Sequence, residues 1–192
     1  MFRTRVADEL GDVHSSTQPE DQPAPSRADI EARLTVELAT VVAGARRRAL
    51  RDGDRQIDTA HLLHSVMETD PEVRAAFEGG PQVAKVLGYL VQRSIGYGLR
   101  WQGSVEDSGA VPVVAVAEPG VTGWSPAAVA AMEGALERAG KDGNRRASGL
   151  DLLAALARDR ECRAVEVLSR AGVDAELLAG RLGDGTRQSH RW

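Results

Sequence analysis

The chain repeats itself. When Leu34 is laid over Trp124, 90 positions later, the sequence matches itself without a gap as far as Leu63. Thr35 falls on Ser125, Ala45 on Ala135 and Ala49 on Ala139; Asp52-Gly53 falls on Asp142-Gly143, Arg55 on Arg145, and Leu62-Leu63 on Leu152-Leu153. Each copy therefore reads as a long helix, an Asp-Gly-x-Arg turn and a helix carrying Leu-Leu, followed by two shorter helices. One such unit is too small to cover its own apolar face. Stacking two buries both faces, so the expectation is one globular body with pseudo-twofold character.

Hydrophobic periodicity supplies the elements. Ile30, Leu34, Leu38, Val41, Val42 and Ala45 recur at steps of three and four, which predicts a helix over 28–52, capped by Ser26 or Asp29 and stopped at Asp52-Gly53. Further helices are expected near 59–68, from Asp70-Pro71 to Gly79-Gly80-Pro81, and over 82–93. Then the period changes to two: Ile95, Tyr97, Leu99 and Trp101 alternate with Gly96, Gly98 and Arg100, and Val111–Ala117 is β-branched and apolar. These segments predict a small antiparallel hairpin, with an irregular linker as the alternative. Helices resume at Trp124-Ser125-Pro126, where Ser caps and Pro takes the first turn, and continue near 148–158, 161–171 and 174–182.

The fold expected is mainly α: two four-helix repeats, at 27–94 and 124–182, packed together, with a hairpin insert at 95–123 between them. Residues 1–26 read as a disordered or loosely ordered tail, in which Phe2–Leu10 could make a short helix and 14–26 is rich in Ser, Gln, Pro and acid; 183–192 is similarly polar and loose. Aromatic residues make up only 4 %, so the core must be mostly Ala, Val and Leu.

The repeat resembles the N-terminal, double Clp repeat domain of the Clp/Hsp100 unfoldases, especially the ClpC type. That family's repeat opens on Phe-Thr and later reads Ile-Gly-Thr-Glu-His-Leu-Leu. Here the first copy reads Leu34-Thr35 and then Ile57-Asp58-Thr59-Ala60-His61-Leu62-Leu63. The second reads Trp124-Ser125-Pro126 and then Ala147-Ser148-Gly149-Leu150-Asp151-Leu152-Leu153. Val167-Leu168 and Gly172-Val173-Asp174 look like the family's closing helix and turn. The resemblance spans about residues 28–182. It implies a protein- or peptide-binding domain, and because no AAA+ module follows the repeats, a free-standing one. Its implied partners are peptides, Clp adaptors or other Clp components, and the implied ligand surface lies at the starts of the two long helices: Leu34, Thr35, Trp124 and Ser125, with Glu133 further along. Trp124 has two readings, peptide anchor or cover for the inter-repeat core. The family also binds phosphoarginine through the Glu of each copy; here those positions are Ala60 and Leu150, and neither can pair with a guanidinium.

Catalytic chemistry is not expected. Gly134–Lys141 has one residue too many for a P-loop, is followed by Asp142 where Ser or Thr is required, and lies in a predicted helix. No Gly-x-Ser-x-Gly elbow is present. His61 lies on an apolar helix and reads as a packed, hydrogen-bonded side chain. His61 and His64 are spaced for a shared metal, but no local Cys or clustered carboxylate completes a ligand set, so neither metal nor other cofactor is expected. Cys162, the single cysteine, reads as structural and suits a reducing cytoplasm. The basic cluster Arg46, Arg47 and Arg48 reads as a solvated, ion-paired helix surface, with phosphate or nucleic-acid binding as the sharper alternative. A net charge of −4 makes nucleic acid the less expected partner. No apolar run approaches the ~20 residues of a membrane helix, and the N-terminus lacks an apolar signal core.

Overall fold

The computed structural model describes residues 32–95, 106, 123–143 and 145–188, with side chains as far as residue 183. Of the expected hairpin insert at 95–123 only Ile95, Glu106 and Gly123 are among the described residues; the rest of it and the N-terminal tail lie outside them. In chain order the elements are α1 (Val36–Asp52), β1 (Gln56–Ile57), α2 (Thr59–Thr69), α3 (Pro71–Ala75) and α4 (Gly80–Ser94), then β2 (Gly123–Trp124), α5 (Pro126–Lys141), α6 (Gly149–Leu156), α7 (Arg163–Arg170) and α8 (Ala175–Gln188). Among the described residues the fold is mainly helical, with one two-stranded sheet.

The helix ends follow from local chemistry. Thr35 caps α1 and its Oγ1 accepts from the Leu38 N–H at 3.2 Å; Ser125 caps α5 in the same way, accepting from Ala128 N–H at 3.1 Å. Asp70 caps α3, accepting from the N–H groups of Glu72 and Val73. After α1 the chain turns at Gly53 with φ 73°, and at the equivalent place Gly143 has φ 84°, so both Asp-Gly turns use the left-handed conformation that glycine adopts freely.

The start of α1 differs from expectation. The helix begins at Val36, capped by Thr35, and not near residue 28 with a cap at Ser26 or Asp29. Leu34 instead makes a parallel bridge with Ala147, and Thr35 N–H donates to Ala147 O at 3.0 Å. The bridge holds residues 34–35 extended, so the three-and-four spacing through Leu34 reports a buried extended residue ahead of the helix. At the other end of the chain, α8 runs on to Gln188, past the boundary at 182. Once Leu178 has docked the helix, Gly183 and the polar residues after it need only continue the i to i−4 bonds.

The two repeats form one body because each completes the other. Ile57 in β1 pairs with Trp124 in β2, and Ser125 N–H donates to Ile57 O at 2.8 Å. The Leu34–Ala147 bridge is the same contact 90 residues out of phase: Leu34 matches Trp124 and Ile57 matches Ala147. Each copy's helix-opening segment thus pairs with the other copy's turn. A single apolar cluster runs through both copies, from Leu38, Leu63 and Met67 to Met132, Leu152 and Leu168. Within each copy the long helix meets its Leu-Leu helix at a glycine. At Gly44 a Cβ would come within 2.3 Å of Ser65 Oγ; at Gly134 it would lie 3.3 Å from Ala155 Cβ.

Candidate functional site

The sequence-derived site falls on the seam between the repeats. Trp124 is held by β2 beside Ile57, and its half-buried side chain packs on the core. Leu34, its counterpart, is buried. Thr35 and Ser125 serve as caps, and Ser125 is fully buried. Between them, the half-buried Trp124 and the N-terminal residue of α1, Val36, which is 73 % exposed, bring apolar surface to solvent at the two helix openings. Glu133 lies on the exposed side of α5.

Next to β1, at Asp58, is a buried ionic cluster. Asp58 caps α2: its Oδ1 accepts from His61 N–H at 2.8 Å, while its own N–H donates to His61 Nδ1 at 3.1 Å. This reciprocal capping box explains the His at the third helical position. Asp58 Oδ2 accepts from Arg93 and, at 2.6 Å, from Arg163 of the second repeat. Burial works against the Asp58 charge, but His61 and Arg93 outweigh it and hold the carboxyl well below its usual range. His61 Nε2 lies 3.2 Å from Asp54 Oδ2. Burial opposes protonation of His61, and Asp54 and Asp58 overcome it, so its pKa is raised; protonation at Nδ1 exchanges the bond from Asp58 N–H for one donated to Asp58 Oδ1, 2.8 Å away.

The matching position in the second repeat is Asp151, where the charges are reversed. The Ser148 N–H and hydroxyl donate to Asp151 Oδ2 at 2.9 and 2.7 Å, and Arg138 and Arg145 donate to Oδ1 at 3.0 and 2.8 Å. One copy sets a histidine among aspartates and the other an aspartate among arginines. The inversion follows from the different residue at the third helical position.

His61 and His64 do not converge. His64 Nε2 lies 2.9 Å from Glu68 Oε1, and Glu68 also pairs with Arg48. Asp54, Asp58 and His61 are the grouping with metal-ligand spacing among the described residues. Their carboxylates are already engaged by a cation, since Arg93 Nη2 pairs with Asp58 and lies 3.0 Å from Asp54 Oδ2. The arginine cluster is likewise divided. Arg47 is exposed, whereas Arg48 turns inward to Glu68 with its side chain only 14 % exposed. Cys162 is buried, its thiol 3.5 Å from Leu156 O, and burial pushes its pKa up to about 11. That environment suppresses the reactive thiolate. Ala60 is fully buried and Leu150 packs against the core, so neither phosphoarginine position presents a carboxylate.

Sequence reasoning missed Glu106. It lies in the inter-repeat segment, outside both repeats, yet its carboxylate is buried in the seam, where it accepts from Thr59, Ser125 and Arg163. No periodicity or motif marks it, because its partners lie 47, 19 and 57 residues away.

The two histidines give opposite pH dependences. Burial and the nearby Arg48 push His64 down to about 4. Its contribution to stability is complete above the unfolded pKa of about 6.5 and is lost as pH falls toward 4; between pH 6.5 and 5 the loss is about 2 kcal/mol. His61, with its pKa raised, stabilises fully below about 6.5 and loses that contribution as pH rises through its folded pKa. Urea midpoints across pH 5 to 8.5 should therefore pass through a maximum near pH 6.5. His64→Asn should flatten the acid side, and an unaltered acid limb in that variant would contradict the assignment.

No family model and no curated protein matches the sequence. The architecture itself defines a class, that of paired helical repeats docked around a shared core. Among solved structures, the chain has the fold of the N-terminal domain of the caseinolytic-protease-associated chaperone ClpD from Arabidopsis thaliana: the TM-score is 0.56 at 17 % identity, over 81 % of this chain and 96 % of that one. A chain from structural investigations of a malarial protein secretion system is also similar, with a TM-score of 0.59 at 14 % identity, over 82 % of this chain and 97 % of that one. These likenesses establish a Clp N-terminal-like fold. Among the described residues no helix is long and apolar enough to cross a membrane.

Proposed function

We propose that the protein is a non-enzymatic binding module for peptides or protein segments, acting beside a Clp unfoldase as an accessory or decoy for its adaptors, substrates or Clp-directed cyclic peptides. The observation that carries this reading is Trp124: a large aromatic, held by backbone pairing at the repeat seam and only partly buried. Leu34 and Thr35 hold the equivalent place in the first repeat, against Ala147, Ser125 caps the helix that Trp124 precedes, and Glu133 lies further along that helix on its exposed side. A lone, buried Cys162 fits a reducing cytoplasm. The competing reading, phosphate or nucleic-acid binding by Arg46, Arg47 and Arg48, has less support because Arg48 is committed to Glu68.

The test is calorimetric titration of the purified chain with an apolar cyclic peptide. If about a quarter of an indole of about 250 Å² faces solvent, covering it buries about 60 Å², worth about 1.5 kcal/mol, or roughly tenfold in affinity. Trp124→Ala should weaken binding by about that factor with an unchanged circular dichroism spectrum; Trp124→Phe should retain most of it, and Glu133→Ala should do less than Trp124→Ala. Affinity should vary little with salt, whereas phosphate binding would fall steeply. Loss of fold in Trp124→Ala would make the residue core and remove it from the site.

A further inference from the structure

One break in the 90-residue symmetry exposes a site. In the first repeat, Val73 N–H at the start of α3 donates to Asp70 Oδ1 at 3.3 Å. The Asp70 carboxylate also lies against α6, so close that a Cβ on Gly149 would fall 2.2 Å from Oδ2. One carboxylate thus sits between the starts of two helices belonging to different repeats. The symmetry-related seam joins α7 and α2. Val73 corresponds to Arg163, Gly149 to Thr59, and Asp70 to Arg160. Arginine cannot accept a hydrogen bond, and Arg160 instead pairs with Glu176 at the surface at 2.6 Å. The α7 cap residue, Cys162, makes no side-chain cap bond.

Two helix N-termini that meet in a buried seam concentrate unsatisfied N–H groups and positive dipole ends, and both favour an anion between them. Glu106 supplies it from outside either repeat. Its Oε2 accepts from Thr59 N–H at 2.8 Å and from Ser125 Oγ at 2.8 Å. Its Oε1 accepts from Arg163 N–H at 2.7 Å and from the Thr59 hydroxyl. That hydroxyl in turn accepts from Ala164 N–H at 3.0 Å. Four donors, two on each carboxylate oxygen, surround a side chain only 5 % exposed.

We propose that this seam is a carboxylate-binding site, built jointly by Thr59, Ser125 and Arg163, with Glu106 as its tethered ligand and a free carboxylate as the class of ligand it takes when Glu106 is absent. The site exists only when both repeats are docked, because Thr59 belongs to the first and Ser125 and Arg163 to the second. The donor set selects a planar, two-oxygen anion. Tethering gives Glu106 an effective concentration in the millimolar range or above, so a small carboxylate occupies the site only once Glu106 is removed.

The test is thermal unfolding of the full chain in sodium chloride, sodium formate and sodium acetate at matched ionic strength. Glu106→Ala vacates the cradle and should lower the midpoint in chloride by about 5 °C, as expected for losing about two hydrogen bonds' worth of stability in a chain of this size. Formate or acetate should restore at least half of that loss. Glu106→Gln keeps the space filled and should gain nothing from either anion beyond the wild-type response. If Glu106→Ala does not fold in chloride, formate or acetate should bring back its helical circular dichroism signal. A midpoint unchanged by Glu106→Ala, an equal response of all three proteins to carboxylate, or an unfolded variant that no carboxylate rescues would each overturn the proposal.

Discussion

Asp58→Ala is expected to destabilise the protein by about 4 kcal/mol. The carboxylate caps α2, receives Arg93 from the same repeat and receives Arg163 from the other. Both guanidinium side chains are less than one-tenth exposed. Removing one member of a buried ion pair costs about 3–5 kcal/mol, because the desolvated charge left behind has lost a charged partner; loss of the cap adds about 1 kcal/mol. For a chain of this length the thermal midpoint should fall by about 12 °C. Asp58→Asn retains an acceptor for the His61 N–H but loses the charge, and should cost about half as much. Replacing Arg163 by Met in the Asp58→Ala background should recover part of the loss, since the buried charge goes with it. A loss below 1 kcal/mol in Asp58→Ala, measured by urea unfolding at pH 7, would mean that the cluster is solvated and does not join the repeats.

Gly44→Ala should cost up to about 2 kcal/mol net, although alanine is the better helix former by about 1 kcal/mol. The new Cβ would lie 2.3 Å from Ser65 Oγ, and that hydroxyl is fixed by its 2.7 Å bond to Val41 O. Either the hydroxyl gives up its bond, at about 1 kcal/mol, or the helices separate, at about 1–3 kcal/mol. The second repeat provides the control. Gly134 faces Ala155, with the corresponding contact at 3.3 Å, so the strain and the gain in helix propensity nearly cancel in Gly134→Ala. Gly44→Ala combined with Ser65→Ala removes the hydroxyl and leaves an ordinary contact of 3.5 Å to the Cβ. The double variant should lie within about 1 kcal/mol of wild type. If it is no more stable than Gly44→Ala, the hydroxyl is not what limits the approach of α1 and α2.

The sequence by itself determined the repeat, the helix order and most of the helix ends. These are short-range properties: Leu62-Leu63 and Leu152-Leu153 mark apolar faces through their spacing, Ser125-Pro126 and Asp70-Pro71 start helices through bonds within one turn, and Gly53 and Gly143 end them through a local conformation. Leu34 and Thr35 were legible as the start of a copy but not as a bridge, because the partner, Ala147, is more than a hundred residues away. The same distance hid the chemistry of the seam. The Asp58–Arg163 pair spans 105 residues, and nothing near Glu106 shows that its carboxylate substitutes for the one that Arg160 cannot provide. Periodicity tells each helix which face to bury, and caps tell it where to begin. Which buried ends then meet, and which charge must lie between them, is decided only when the two copies dock, because the desolvated N–H groups and guanidinium groups that require an anion do not come together until the core has closed around them.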